Sequence, residues 1–255
     1  MQIAFVHIIR SLKMCDECIF IVEEKMKRIA AYFSKTELAL WLGSVSLITV
    51  SSVVFHGGDL LSFAASLIGV TSLIFAAKGN PFAQVLMIVF SLMYGIISYG
   101  FAYYGEMVTY LGMTMPMAVI SLISWLKNPS GENTSEVKVN RISRSETVFL
   151  AILTAAVTAV FYFVLRSLQT ENLIVSTFSV ATSFAAAYLT FRRTIYFPLA
   201  YAFNDVVLIV LWAFAAFEDI KYLSVLICFI VFLVNDLYGF ISWRKMQHRQ
   251  ELPAV

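Results

Sequence analysis

Along the chain, apolar runs of about 18–23 residues alternate with short polar breaks, and each run is long enough to cross ~30 Å of hydrocarbon at 1.5 Å per residue of helix. The runs fall at 37–56, 59–77, 81–103, 107–126, 146–166, 173–191, 195–217 and 222–243. Inside a bilayer every backbone N–H and C=O must find a partner within the protein, so the runs are predicted to be α-helices. The breaks carry turn residues and charges: His56-Gly57-Gly58-Asp59, Lys78-Gly79-Asn80-Pro81, Tyr104-Gly105-Glu106, Arg192-Arg193 and Glu218-Asp219-Ile220-Lys221. The longest break, 127–145, contains NPSGENTSEVKVN and separates four spans from four. The pattern predicts an all-α polytopic membrane protein with eight transmembrane helices.

Composition agrees. Apolar residues make up 60% of the chain and charged residues 13%, against about 45–50% and about 25% in soluble domains. A soluble domain of this size has no interior large enough for that much apolar surface. Secreted disulfide scaffolds, nucleic-acid binders and cytosolic enzymes are thereby excluded. Cys15, Cys18 and Cys228 are an odd count with no His beside the CxxC pair, and read as free thiols.

The net charge of +2 says less than where the charges lie. With eight spans, the two tails and the even-numbered breaks share one side of the membrane, and they carry 16 of the 18 Lys and Arg residues; only Arg166 and Lys221 fall opposite. The positive-inside rule then places both termini in the cytoplasm of a plasma membrane. Residues 1–25 combine a short apolar run, IAFVHII, with Asp16, Glu17, Glu23 and Glu24, too short and too charged to span. No small-residue cleavage site follows, so a signal peptide does not fit. We expect either that translation begins at Met26, which opens the basic lead-in MKRIAAYFSKTE, or that 1–25 is a dispensable cytoplasmic tail.

The halves share a signature. Ile123-Ser124-Trp125-Leu126-Lys127 closes the fourth span and Ile241-Ser242-Trp243-Arg244-Lys245 closes the eighth, 118 residues later. The same offset pairs Tyr94 with Trp212 and Tyr104 with Tyr222. Chance recurrence of interfacial Trp and Lys is the bland explanation; duplication is the other. Two four-helix repeats enter the membrane from the same side, the parallel arrangement of transporters with a substrate site between halves.

Few ionisable groups lie within spans. Asp205, beside Asn204, sits near the middle of the seventh, and Asp236, beside Asn235, near the middle of the eighth. An Asp at that depth costs about 2.5–3.5 kcal/mol on insertion scales, so it faces a cavity or a partner. Helical spacing aligns Asp205 with Leu208 and Trp212, and Asn235 with Tyr238 and Ser242. Asn204, Asp205, Trp212, Asn235, Asp236, Tyr238 and Tyr94 are therefore the candidate substrate-binding residues. Carboxylate, amide and aromatic ring together suit an aromatic cation bearing hydroxyls. Polar residues also serve as interhelical glue, and the aromatics as packing. Gln84 and Glu106, near helix ends, read as solvated, and Met107, Met113, Met115 and Met117 as soft core. The histidines, His7, His56 and His248, lie in tails or a turn, and no HExxH, GxSxG or phosphate-loop motif occurs. Neither catalysis, metal nor cofactor is expected.

Three segments, SLIGVTSLIFAAKGN (66–80), YGIISYGFAYYGEM (94–107) and NDLYGFISWRK (235–245), resemble the PnuC family of bacterial vitamin transporters, and the resemblance runs from about Trp41 to Lys245. It implies a fold like the sugar-transporting SWEET proteins, two three-helix bundles joined by a linker helix: bundles at 59–126 and 173–245, a linker in 146–172, a cytoplasmic loop at 127–145 and an extra first helix at 37–58, with 1–36 and 246–255 as tails. It also implies import of nicotinamide riboside, an NAD precursor, by facilitated diffusion, with a cytoplasmic kinase trapping the product; whether the chain forms a homo-oligomer is left open by the sequence. Family members often carry WxxWxxxN on the penultimate helix; here Asn204 is kept, but Phe197 and Ala200 stand at the tryptophan positions, and Ala118 replaces a common glutamine. Thiamine or a deoxynucleoside, carried by related proteins, is the alternative substrate, and a membrane-embedded enzyme the remote one. Two carboxylates, with no Lys or Arg near the middle of any span, favour a cation over the phosphate-bearing mononucleotide. Partners are thus a small molecule and the lipid bilayer, with no nucleic acid.

Overall fold

A computed structural model of the chain describes residues 32–55, 60–100, 104–131, 135–170 and 172–252. The expectations for residues 1–25, with Cys15 and Cys18, lie outside the described residues. Among the described residues eight helices follow in order: α1 (Lys35–Val54), α2 (Leu60–Ala77), α3 (Phe82–Gly100), α4 (Tyr104–Leu126), α5 (Arg144–Ser167), α6 (Leu173–Phe191), α7 (Phe197–Glu218) and, after a single 3₁₀ turn, α8 (Leu223–Glu251). All eight are long and apolar enough to cross a membrane. Among the described residues there is no strand, only one isolated bridge between Pro129 and Val137.

The chain divides into two units after Leu42. In the first, a reciprocal cap starts α1: Glu37 N–H donates to Ser34 Oγ at 3.2 Å and Ser34 N–H to Glu37 Oε2 at 2.7 Å. In the second, Gly43–Val255, sequential neighbours pack together from α2 to α4 and from α5 to α8. Two further contacts tie these groups: α8 lies against α2, and α4 against α6. α5 packs on α6 and leaves Ile152, Val160 and Phe163 exposed, as a lipid-facing helix does.

Matching turns end α2 and α6. After α2, Asn80 N–H bonds Phe75 O and Gly79 N–H bonds Ala76 O, with Gly79 at φ +65°. After α6, Thr194 N–H bonds Leu189 O and Arg193 N–H bonds Thr190 O, with Arg193 at φ +56°. Both are the left-handed stop that satisfies the last helical carbonyls. Gly79 suits it twice over, since a Cβ there would also meet Met246 at 3.0 Å. A side chain at positive φ costs about 1 kcal/mol or more, and Arg193 offsets this by donating to Ser124 Oγ and to Lys138 O.

Those carbonyl ends are held by the far ends of α4 and α8. Trp125 Nε1 donates to Thr190 O and Trp243 Nε1 to Ala76 O, both at 2.8 Å. One residue earlier, Ser124 Oγ donates to Phe191 O at 2.9 Å and Ser242 Oγ to Ala77 O at 2.7 Å. The two indoles meet at 5.5 Å, and Phe197 packs edge-on to Trp243 at 4.7 Å. This reciprocal clasp is fully buried at both tryptophans.

The polar break after α4 crosses beneath the clasp. Val137 N–H bonds Gly79 O and Asn140 N–H bonds Arg193 O, both at 2.9 Å, so the segment joins the two turns. Here α8 differs from the predicted end at 243, continuing to Glu251. The extra turns are amphiphilic rather than apolar and anchor this segment: Gln250 donates to Glu136 and accepts from Val139 N–H, and Arg249 pairs with Glu136.

α4 contains one π-helical turn, Tyr110–Thr114. Pro116 explains it. Its ring cannot donate, and it crowds the carbonyl four residues back. Widening the turn relieves the clash, and Met115 N–H reaches Tyr110 O instead.

Candidate substrate site

The seventh and eighth helices cross at their polar midpoints, and a cavity of about 40 Å³ lies there. α7 supplies Tyr201, Asn204 and Asp205; α8 supplies Phe229, Phe232 and Asp236. Opposite them stand Gly69 and Leu73 of α2, Met87 and Phe90 of α3, Tyr110 and Thr114 of α4, and Ser183 of α6. Gly69 is required at this spot, because a Cβ would stand 2.5 Å from Phe232 Cζ.

Asp205 and Asp236 are 4% and 5% exposed and line the same cavity. Asp205 Oδ2 has no hydrogen-bond partner. Asn204 Oδ1 accepts from Ser183 Oγ at 2.9 Å and from Thr182 Oγ1 at 2.7 Å. With its oxygen occupied, the Asn204 amide offers N–H donors to the cavity. The wall thus presents donors from Asn204 and acceptors from two carboxyl groups, framed by phenyl and phenol rings, and no lining residue is Lys, Arg or His.

A second cavity of about 30 Å³ adjoins it, and shares Phe90, Phe229 and Phe232 as a common wall. Tyr94 and Trp212 line this one, with Ser66 and Cys228. Their rings are 6.4 Å apart, and Tyr94 lies 4.4 Å from Tyr110 of the first cavity. Small-molecule pockets run to about 300–1,000 Å³, so loading a substrate requires these aromatic side chains and the helices carrying them to part.

Of the candidate residues, the structure thus gathers Asn204, Asp205 and Asp236 around one cavity and Tyr94 and Trp212 around its neighbour. Asn235 and Tyr238 line neither. Asn235 donates to Ser44 Oγ of α1 at 2.9 Å and to Val231 O at 2.8 Å, which stitches α8 to α1. Tyr238 is half-buried on the other side of α8 from Asp236. Asn235 and Asp236 differ by about 100° around the helix, so one of the pair faces the site and the other the neighbouring helix.

Sequence reasoning missed Tyr110, Thr114, Ser183 and Tyr201. Ser176, Ser179 and Ser183 are all buried and form a polar stripe at spacings of three and four, a legible signal. Glu106 and Gln84, read as solvated, are buried at 3% and 5% exposure. Glu106 begins α4 one turn before Tyr110 and faces Ser179 of α6. Among the described residues no cluster of three His, Cys, Asp or Glu side chains offers a metal site.

Against known proteins, residues 59–245 match the family described as nicotinamide mononucleotide transporter. The nicotinamide riboside transporter PnuC of Neisseria mucosa is 25% identical over 243 residues, 91% of this chain and 92% of that protein. PnuC of Haemophilus influenzae is 20% identical over 211 residues, 82% and 90% of the two chains. A crystal structure of the vitamin B3 transporter PnuC superposes with a TM-score of 0.75 at 24% identity, covering 86% of this chain and 94% of its own.

Proposed function

This chain belongs to the nicotinamide mononucleotide transporter family, and on that premise we propose that it imports nicotinamide riboside across a bacterial plasma membrane. Two relatives carry that substrate in their names. The observation that carries the choice of the riboside is the cavity wall: two buried carboxyl groups and an oriented amide, with no cation among the lining residues. A pyridinium cation finds its counter-charge there and aromatic faces to stack on, and the ribose hydroxyls find both donors and acceptors. The phosphate of the mononucleotide would meet two carboxyl groups and no Lys or Arg.

Entry is by facilitated diffusion, with phosphorylation by a cytoplasmic kinase trapping the product. α2–α4 and α6–α8 act as two three-helix bundles, with α5 as linker and α1 as an additional helix. The asymmetry of Lys and Arg supports cytoplasmic termini and puts the tryptophan clasp at the cytoplasmic end. The cavity lies between this clasp and the aromatic cluster of Tyr94, Tyr110 and Trp212, so alternating release of one and then the other moves substrate through.

Thiamine, also an aromatic cation, is the second reading, favoured by the missing tryptophans: Phe197 packs in the clasp rather than in the cavity wall. Uptake of labelled nicotinamide riboside into proteoliposomes with no ion gradient tests the proposal. Saturable entry above protein-free vesicles is expected. Saturable thiamine entry without riboside entry would replace it.

A further inference from the structure

Resting on the reading of the central cavity as the substrate site, we propose that the outer ends of α1, α2 and α8 form an entry station that receives the sugar hydroxyls of the substrate before the aromatic rings part. A cavity of about 20 Å³ lies there. Its polar lining is Ser51 and Ser52 of α1, Ser62 and Ser66 of α2 and Ser224 of α8, and no lining residue is charged. It shares Ser62, Ser66 and Val225 with the cavity of Tyr94 and Trp212. That cavity in turn shares Phe90, Phe229 and Phe232 with the central one. Three cavities thus follow one another with a common wall at each junction.

Two helices line all three. On α2, Ser62, Ser66, Gly69 and Leu73 recur at spacings of four, three and four; on α8, Ser224, Cys228, Phe232 and Asp236 recur every four. Such spacings keep successive residues on one side of a helix, and eleven or twelve steps descend about 16–18 Å. The order of lining is the same on both: serine outermost, then the aromatic cavity, then the central cavity. α1 contributes to the station and to neither deeper cavity. Its Ser44, bonded to Asn235 of α8 at 2.9 Å, ties it in place. The extra helix is therefore a wall of the way in.

The hydroxyls are committed in one direction. Ser51 Oγ donates to Ile48 O at 3.0 Å, Ser66 Oγ to Ser62 O at 2.9 Å and Ser224 Oγ to Lys221 O at 3.0 Å. A serine hydroxyl has one proton and two lone pairs. Each of these three spends its proton on its own helix and has only acceptor capacity left for a ligand. An uncharged, acceptor-rich wall fits a group bearing O–H donors, as a ribose does, and offers little to a phosphate, which needs donors. A nucleoside held there by its sugar has its ring toward Tyr94 and Trp212, whose faces attract a cation.

Uptake of labelled nicotinamide riboside by intact bacterial cells expressing the full-length protein tests the station, with riboside affinity of the purified protein in detergent measured alongside by calorimetry. Ser66→Leu fills the neck shared by the first two cavities. Uptake should fall about tenfold or more, while affinity at the central cavity, which detergent leaves open to ligand from the cytoplasmic face, should hold. Ser224→Ala removes one acceptor and keeps the helix; KM for uptake should rise several-fold at unchanged maximal rate, the loss of one hydrogen bond. The 2′,3′-dideoxy riboside, which lacks the donors, should show no such rise between unaltered protein and Ser224→Ala. Unaltered uptake in folded Ser66→Leu, an unaltered KM in Ser224→Ala, or an equal rise for the dideoxy compound overturns the station and leaves the transport reading intact. Equal loss of uptake and affinity in Ser66→Leu also overturns it, since the damage then lies at the central cavity. No riboside uptake by the unaltered protein overturns the transport reading and the station with it.

Discussion

Replacing Trp243 by Phe deletes one donor from the clasp without emptying it. The indole N–H donates to Ala76 O at 2.8 Å, but that carbonyl also accepts from Gly79 N–H at 2.9 Å. It is therefore not orphaned, and the loss is that of one net hydrogen bond, about 0.5–1.5 kcal/mol. The phenyl ring lacks three of the indole's ring atoms, worth about 2 kcal/mol at ~0.8 kcal/mol per buried carbon. The sum is about 3 kcal/mol. In a domain of this size each kcal/mol lowers Tm by about 2–4 °C, so Trp243→Phe should lose roughly 6–12 °C. Trp125→Phe should lose nearly the same, because Thr190 O likewise keeps the Arg193 N–H at 2.9 Å. The indoles touch at 5.5 Å, so the double variant should fall short of additivity by about 0.5–1.5 kcal/mol, the worth of an aromatic pair. Circular dichroism of the purified protein in detergent measures all three. A single variant with unchanged Tm, or two singles differing more than twofold, refutes the reciprocal clasp as the element that locks this end.

Two further outcomes follow from the cavity wall. Gly69→Ala puts a methyl group 2.5 Å from Phe232 Cζ and 3.1 Å from Phe90; displacing those rings should cost about 1–3 kcal/mol, read as a Tm fall of a few degrees, and an unchanged Tm would show that the rings yield freely. Ser183→Ala removes the hydroxyl that holds the Asn204 oxygen at 2.9 Å, worth about 1 kcal/mol; riboside uptake should show KM raised several-fold at unchanged maximal rate, and an unaltered KM would mean that the amide needs no such anchor.

The eight helices were legible because hydrocarbon imposes a single requirement, about 20 apolar residues with every backbone group bonded internally. Asp205 and Asp236 stood out for the same reason: against so apolar a background a carboxyl group has few places to go, and helical spacing already set each on one face. Burial was harder to read than depth. Glu106 and Gln84 lie near helix ends, where sequence alone makes water the expected neighbour, yet both are buried. The π turn was hidden because a proline within an apolar run signals a kink or break, and its repair by a wider turn depends on which carbonyl is left to be met. Asn235 and Asp236 are adjacent in sequence but face different helices, and only the position of α1, through Ser44, decides which of them is glue.

The repeat was visible in only one of its two registers. Residues 118 apart, Trp125 with Trp243 and Tyr94 with Trp212, not only correspond but touch, at 5.5 and 6.4 Å. Equivalent residues meet each other only near an axis that relates them, which supports reading these aromatics as lying along a pseudo-twofold. The turns match at another spacing, however: Gly79 with Arg193 and Ala76 with Thr190 stand 114 apart. The difference of four residues is close to one helical turn. A segment longer by one turn keeps the same face toward the axis while moving along it, so the second half absorbs the extra residues in α7 without turning its aspartate away. Glycine at one turn and arginine at the other then follow from the clasp. The left-handed stop is needed twice, and where glycine is absent the donors of the Arg193 guanidinium, fixed on Ser124 and Lys138, hold the backbone in place.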